Sequence, residues 1–291
     1  YMNSNLGKNY DISQFLEAID ANITSFYTPA TWGYNMFFYL AASNDCHPTY
    51  VSDLMKKKTL SVKQINELLG RLQGDKKLLY DKKYMEQLYL EYQENDIDDT
   101  LDVQALKELF GSRKLLLLGT GDSVTEQEEL LKNFINENNP IVISMNYIPD
   151  NISPDMIFLS NSKKYVQIAS KLSRHQGEYK IIATSNVTKT SGEFDYTVRY
   201  KDVLDTEENA IPDVAFAVLL KTMEKVGVKE VYLGGIDGFN ETHNGIYLDD
   251  EEHCDYGIKH TDELNEYVNH MMQRMNKTIK LNLLTKSIYT L

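Results

Sequence analysis

Leu115-Leu116-Leu117-Leu118-Gly119-Thr120-Gly121-Asp122-Ser123 decides the fold. Four consecutive leucines leave no polar face, so the strand they form is buried on both sides. Such strands belong to parallel sheets with helices packed on each surface. The run passes directly into a glycine-rich turn and then into a helical pattern. Ile141-Val142-Ile143-Ser144, Met156-Ile157-Phe158-Leu159, Tyr179-Lys180-Ile181-Ile182-Ala183 and Val231-Tyr232-Leu233 are further short apolar runs. Amphipathic stretches such as Glu126 to Asn138 and Pro212 to Val226 lie between several of them. Strands alternating with helices predict an α/β domain, a Rossmann-like doubly wound and mainly parallel sheet, over residues 105–291.

Upstream the period changes from strand to helix, and residues 1–95 read as a separate helical segment. Ile12, Phe15, Ile19 and Ile23 recur at spacings of three and four, with Asp11 placed to cap the helix over residues 11–26. Ser61-Val62-Lys63-Gln64 predicts a capping box ahead of Ile65, Leu68, Leu69 and Leu72 on one face. Leu78 to Tyr92 reads as a further helix, carrying Tyr80, Tyr84, Leu88 and Tyr92. Pro48 suits the first position of a helix, which gives His47 a structural role. The acidic stretch from Glu94 to Asp102 is expected to be the linker, and its carboxylates to be solvated.

Composition bounds the function. The chain has 291 residues, 42% hydrophobic and 25% charged, which is globular composition with room for two modules. Apolar runs such as Leu115–Leu118 and Ala215–Leu220 are core-sized, and no run approaches the length of a membrane span. The formal net charge of −13 argues against nucleic acid and against a membrane surface as partners. Two distant cysteines, Cys46 and Cys254, support neither a disulfide framework nor a thiolate zinc site and fit a cytoplasmic location. His243, His253, Cys254 and His260 lack the spacing of a zinc set, so no metal ligand is assigned. No GxSxG nucleophile turn occurs.

Ligand chemistry is expected where parallel strands end. Gly119, Thr120, Gly121, Asp122 and Ser123 form a turn in which backbone can approach a ligand closely and helix N–H groups attract anions. The third glycine of a dinucleotide fingerprint is replaced by Val124. Asp122 opposes a phosphate there by Coulomb repulsion, on the order of 1–4 kcal/mol at 4 Å. Ser123-Val124-Thr125-Glu126 also spells a capping box, so the residues leave open both a ligand loop and a capped helix after a tight turn. Asn146 after the second strand, with Ser160 and Asn161 after the third, can hydrogen-bond ribose or base edges, or simply form turns. Gly235 and Asp237 sit in a later turn, where the carboxylate can hold a hydroxyl or Mg²⁺.

Two stretches resemble known families. Asn9-Tyr10-Asp11, Trp32-Gly33-Tyr34, Tyr39-Leu40-Ala41-Ala42, Cys46-His47-Pro48 with Tyr50, and Leu60-Ser61-Val62 together resemble the helical region after the TIM barrel of bacterial aldolase-like proteins. Those proteins are related to hydroxy-oxovalerate aldolase, among the metal-dependent DRE-TIM lyases. The resemblance covers residues 5–93. It implies the C-terminal portion of a longer lyase whose Asp-Arg-Glu strand and HxH metal pair are not in this sequence. It also implies that the helices pack on the barrel or join a homodimer.

Gly119 to Ser123, Met145-Asn146, Asp155 with Phe158, the helix after Pro212 and Gly235-Ile236-Asp237 resemble a second group. This is the Rossmann-like domain of 6-hydroxymethylpterin pyrophosphokinases and bacterial sialyltransferases, and the resemblance spans residues 111–240. It implies that Gly119, Gly121, Ser123 and Asn146 hold a nucleotide or nucleotide-sugar, with Mg²⁺ as a companion. Asp122 departs from the proline usual in that loop. Three functions follow as expectations: an accessory nucleotide-binding region of an aldolase, a glycosyl- or diphospho-transferase, or a non-catalytic interaction domain.

Overall fold

In the computed structural model, residues 12–22, 36–57, 60–93, 97–174, 177–191, 194–207, 210–211, 214–239 and 261–291 are described. The chain divides into two compact units, Tyr1–Tyr92 and Gln93–Leu291. Among the described residues, no helix is long and apolar enough to cross a membrane.

The first unit is helical: α1 (Ser13–Asn22), α2 (Met36–Ser43), α3 (Pro48–Lys56), α4 (Val62–Gly70), a 3₁₀ turn (Gly74–Lys77) and α5 (Lys82–Gln93). The predicted capping box opens α4: Ser61 N donates to Gln64 Oε1 at 2.9 Å and Gln64 N to Ser61 Oγ at 3.3 Å. Ile65, Leu68, Leu69 and Leu72 enter the core with Leu40, Val51, Leu54, Met85 and Tyr89. His47 caps α3, its Nδ1 accepting from Thr49 N at 3.2 Å, with Pro48 at the first helical position.

Two expectations for this unit need correction. Phe15 is 66% exposed, and Leu16 is the α1 residue that packs against the core. The helix predicted from Leu78 begins at Lys82 instead. Asp81 Oδ1 accepts from Tyr84 N at 3.1 Å and starts α5 there. The predicted cap Asp11 and the apolar Ile23 lie outside the described residues.

The second unit contains α6 (Thr100–Phe110), β1 (Leu115–Leu118), α7 (Ser123–Glu126), α8 (Glu128–Asn138), β2 (Ile141–Met145) and β3 (Met156–Leu159). It continues with α9 (Ser162–Arg174), β4 (Lys180–Thr184), α10 (Ser185–Ser191), β5 (Tyr196–Val198) and a 3₁₀ turn (Tyr200–Val203). α11 (Ala215–Val226), β6 (Glu230–Gly234), α12 (Thr261–Met275) and β7 (Lys280–Leu283) complete it. The seven strands form one sheet in the order β5-β4-β3-β2-β1-β6-β7, and every pairing is parallel. The fold is α/β, a Rossmann-like doubly wound sheet.

The leucine run is explained by the pleat. Successive side chains point to opposite faces. Leu115 and Leu117 join the layer made by α6, α11 and α12, whereas Leu116 and Leu118 meet Val124 and Leu131 of α7 and α8. The strand order reverses at β1, with β2 to β5 on one side and β6 and β7 on the other. That reversal is where open α/β sheets place a ligand crevice, beyond the strand ends.

Beyond Asp96 the acidic stretch is only partly solvated: Asp98 is exposed as expected, whereas Asp99 and Asp102 are anchored. Asp99 is 8% exposed, and its Oδ2 accepts from Arg199 N at 2.7 Å and from Lys225 Nζ at 2.5 Å. Asp102 Oδ2 accepts from Thr197 N at 2.8 Å. The two carboxylates thus cover one backbone donor of the edge strand β5 and the one just after it, groups that could otherwise pair with another chain. Replacing Asp99 with Ala removes a charge-assisted acceptor from a buried position. The expected cost is about 2 kcal/mol in urea unfolding.

A second anchored carboxylate lies near α12. Burial pushes the Asp205 carboxyl upward, but the Arg274 guanidinium at 2.7 Å and the Tyr267 hydroxyl at 2.9 Å more than offset this, leaving it below the usual range. With its folded value depressed, Asp205 contributes stability that is present above its unfolded pKa of about 4. That contribution is lost as pH falls through the folded value. Asp205→Asn is therefore expected to flatten the acid limb of the stability–pH profile measured by denaturant titration. An unchanged acid limb would count against the ion pair as a stabilising element.

Candidate functional site

β1 ends beside β6, and the two following turns interlock. Gly119 N donates to Gly234 O at 2.8 Å and Gly121 N to Gly235 O at 2.9 Å. A Cβ on Gly121 would lie 2.4 Å from the Asp237 carboxyl carbon. Gly235 has φ +71°, and a Cβ there would sit 2.4 Å from Val124 Cγ2. Both positions favour glycine, Gly121 because a side chain would displace the Asp237 carboxylate and Gly235 for both approach and conformation.

Asp237 fills the centre of this junction. Its Oδ2 accepts from Ser123 N at 2.8 Å, and its Oδ1 accepts from the Ser123 hydroxyl. Ser123 is fully buried and also hydrogen-bonds the Thr285 hydroxyl at 2.8 Å, which in turn accepts from Gly235 N at 2.9 Å. The carboxylate thus takes the place an anionic ligand would occupy at the turn. The predicted local capping box does not form. Ser123 is the first residue of α7, Asp122 is in right-handed helical conformation without a side-chain cap, and Glu126 pairs instead with Lys286. A residue more than a hundred positions away supplies the cap.

Lys286 lies beside this acidic corner and pairs with Glu126. The Glu126 carboxylate holds its ammonium above the usual lysine range, with Asp237 and Asp122 adding to the field. Asp122 and Thr120 are half-buried.

A second polar cluster gathers at the ends of β2, β3 and β4. Asn146 adopts φ +61° and is 7% exposed. Its Oδ1 accepts from Ser160 N at 3.0 Å and its Nδ2 donates to Ser160 Oγ at 3.3 Å. Asn186 Nδ2 donates to Ser160 O at 3.2 Å, and Thr184 Oγ1 donates to Asn186 Oδ1 at 2.5 Å. Tyr147 links the two clusters, because its buried hydroxyl donates to Gly119 O at 2.6 Å.

The structure therefore brings Gly119, Gly121, Ser123, Gly235 and Asp237 together, and places Asn146 and Ser160 in a neighbouring network. Asn161 is committed to its own helix, its Oδ1 accepting from Lys163 N and Lys164 N at 2.9 and 3.2 Å. Thr184, Ser185 and Asn186, the equivalent end of β4, were missed by the sequence reading. The same signal that marked Ser144 to Asn146 and Ser160 to Asn161, polar residues directly after an apolar strand, was available there. His243, His253, Cys254 and His260 lie outside the described residues. Among the described residues, no group of three His, Cys, Asp or Glu side chains could hold a metal ion.

No protein-family model matches this chain, and no curated protein matches it.

The interlock has a measurable signature. Gly121→Ala forces the Asp237 carboxylate aside and is expected to cost about 1–3 kcal/mol. Asp237→Ala strips the acceptor from a buried donor and is expected to cost about 1.5–3 kcal/mol. In the double variant the added methyl meets no carboxylate, so the loss is smaller than the sum of the single losses. Strict additivity in urea unfolding would contradict the contact.

Proposed function

We propose that this chain is an accessory region of an aldolase-like enzyme, whose α/β unit binds a nucleotide or nucleotide-sugar by its nucleoside part without turning it over. The occupied cradle carries this reading: Asp237 already satisfies the Ser123 donors that a phosphate would need. A phosphate placed beside that carboxylate meets repulsion on the order of 1–4 kcal/mol at 4 Å. The neighbouring cluster at the ends of β2, β3 and β4 is neutral, a buried network of amides and hydroxyls from Asn146 through Ser160 to Thr184 and Asn186, and it offers no positive charge to a polyphosphate. Such groups suit ribose hydroxyls and base edges better than polyphosphate.

The transferase reading asks Asp237 to hold Mg²⁺ or an acceptor. Both of its oxygens are already engaged by Ser123, so the binding reading is preferred. For the helical unit, the lyase resemblance supplies the partner, the TIM-barrel portion of the parent protein or a second copy. Phe15, Phe38 and Tyr39 are 66%, 53% and 42% exposed, which supports packing of this unit against another apolar surface.

The experiment is a thermal-shift series with cytidine, adenosine, guanosine, their mono- and triphosphates and nucleotide-sugars, each with and without Mg²⁺. Ligand at 100 times its Kd adds about 2.7 kcal/mol, which corresponds to roughly 5–10 °C for a unit of this size. A nucleoside and its triphosphate are expected to shift Tm by similar amounts, and Asn146→Ala to abolish both shifts. A shift confined to triphosphates with Mg²⁺, accompanied by donor turnover, would replace this reading with the transferase. A flat series would leave the interaction domain.

A further inference from the structure

Residues 76–83 read Lys76-Lys77-Leu78-Leu79-Tyr80-Asp81-Lys82-Lys83, two leucines between two lysine pairs. Leu78 and Leu79 are each 70% exposed, although both adjoin a well-packed helical core. Their exposure is built in. The Tyr50 hydroxyl, at the end of a fully buried ring, meets Lys76 O at 2.7 Å and Leu79 O at 3.0 Å and accepts from Asp81 N at 2.8 Å. His47 N donates to Lys77 O at 2.7 Å. Backbone on both sides of the leucines is thereby pinned, and their side chains are held in water.

The segment itself carries more positive than negative charge, although Asp53, bonded to the Tyr80 hydroxyl, and Glu86, paired with Lys57, stand behind it, and the Lys77 ammonium is turned to Asn44 O at 3.2 Å. Lys76, Lys77, Lys82 and Lys83 stand against Asp75 and Asp81, and Asp81 is ion-paired with Lys76. Beside Leu79 lies an open hollow of about 490 Å³, walled by Tyr80 and by Lys76, Lys82 and Lys83, with the two aspartates. Apolar side chains, a cationic margin and a hollow between them occur within one pinned segment.

We propose that this segment docks on an anionic phospholipid surface. Leu78 and Leu79 enter the boundary of the acyl chains, and the lysines lie among the headgroups, one of which the hollow can receive. A protein partner is less well served, since a stable interface buries about 800 Å² on each side and two adjacent leucines supply a small part of that. A membrane surface needs only a short apolar insertion combined with a basic patch. The chain's net charge of −13 disfavours a membrane surface on average, but exposed charges more than about 8 Å away are screened at physiological salt, so the charge of the segment itself decides the contact.

The test is sedimentation of the full chain with vesicles of phosphatidylcholine alone and of phosphatidylcholine mixed with phosphatidylserine. Binding is expected for the mixed vesicles only, and it should weaken with added salt. Lys82→Gln with Lys83→Gln should lower the partition coefficient roughly 30-fold. Leu78→Ser with Leu79→Ser should abolish binding while leaving the circular dichroism spectrum and Tm unchanged, since both side chains are exposed. Absence of sedimentation with the mixed vesicles overturns the proposal, as does binding that neither double variant alters. Conversion of a dimer to a monomer by the leucine variant, measured by ultracentrifugation without lipid, would assign the surface to a second copy instead.

Discussion

The carboxylate of Asp237 on the backbone N–H and hydroxyl of Ser123 joins the two turns at which the sheet changes direction. Around it the chain has little freedom. Gly121 must lack a side chain so that the carboxylate can approach, Gly235 must take a positive φ, and Thr285 must reach in from beyond β7 to accept from Gly235 N. The C-terminal residues then follow the same junction, with Ser287 Oγ donating to Ile236 O at 2.6 Å and Ile288 N donating to Asp237 O at 2.9 Å. A charge-assisted hydrogen bond in such a place is roughly twice as strong as a neutral one. It also sets the electrostatics of the rim, because a fixed negative charge now stands where the turn would otherwise attract one.

That substitution of an internal anion for an external one separates fold from function. The turn lies at the switch point of a doubly wound sheet, an architecture that serves many chemistries and has to be judged by its site. Here the polar groups at the ends of β2, β3 and β4 are neutral, buried and hydrogen-bonded to one another. Asn146 is held in left-handed conformation against Ser160, and Asn186 extends the network to the fourth strand.

Periodicity reported what packing demands of single residues and short runs. The four leucines of β1 and the apolar runs of β2, β3, β4 and β6 were legible because burial on both faces excludes polar residues. The capping box at Ser61 and Gln64 was legible because both partners lie within one turn. β5 and β7 were not, since Tyr196-Thr197-Val198 is short and Lys280-Leu281-Asn282-Leu283 alternates like a surface strand. The acidic stretch was partly misread because nothing in Asp99 or Asp102 itself reveals the backbone donors in and just after β5 that lie about a hundred residues downstream.

The sequence alone determined the α/β class, the helical unit before it, and the rim on which candidate ligand residues fall, because those follow from local hydrophobic pattern and strand-end chemistry. Only the tertiary structure decided which of these residues meet. Ser123 had a plausible local partner in Glu126, and the fold gave it Asp237 and Thr285 instead. The physical reason is that a hydrogen bond is fixed by distance in space, and the parallel crossovers of a doubly wound sheet bring together strand ends that are far apart along the chain.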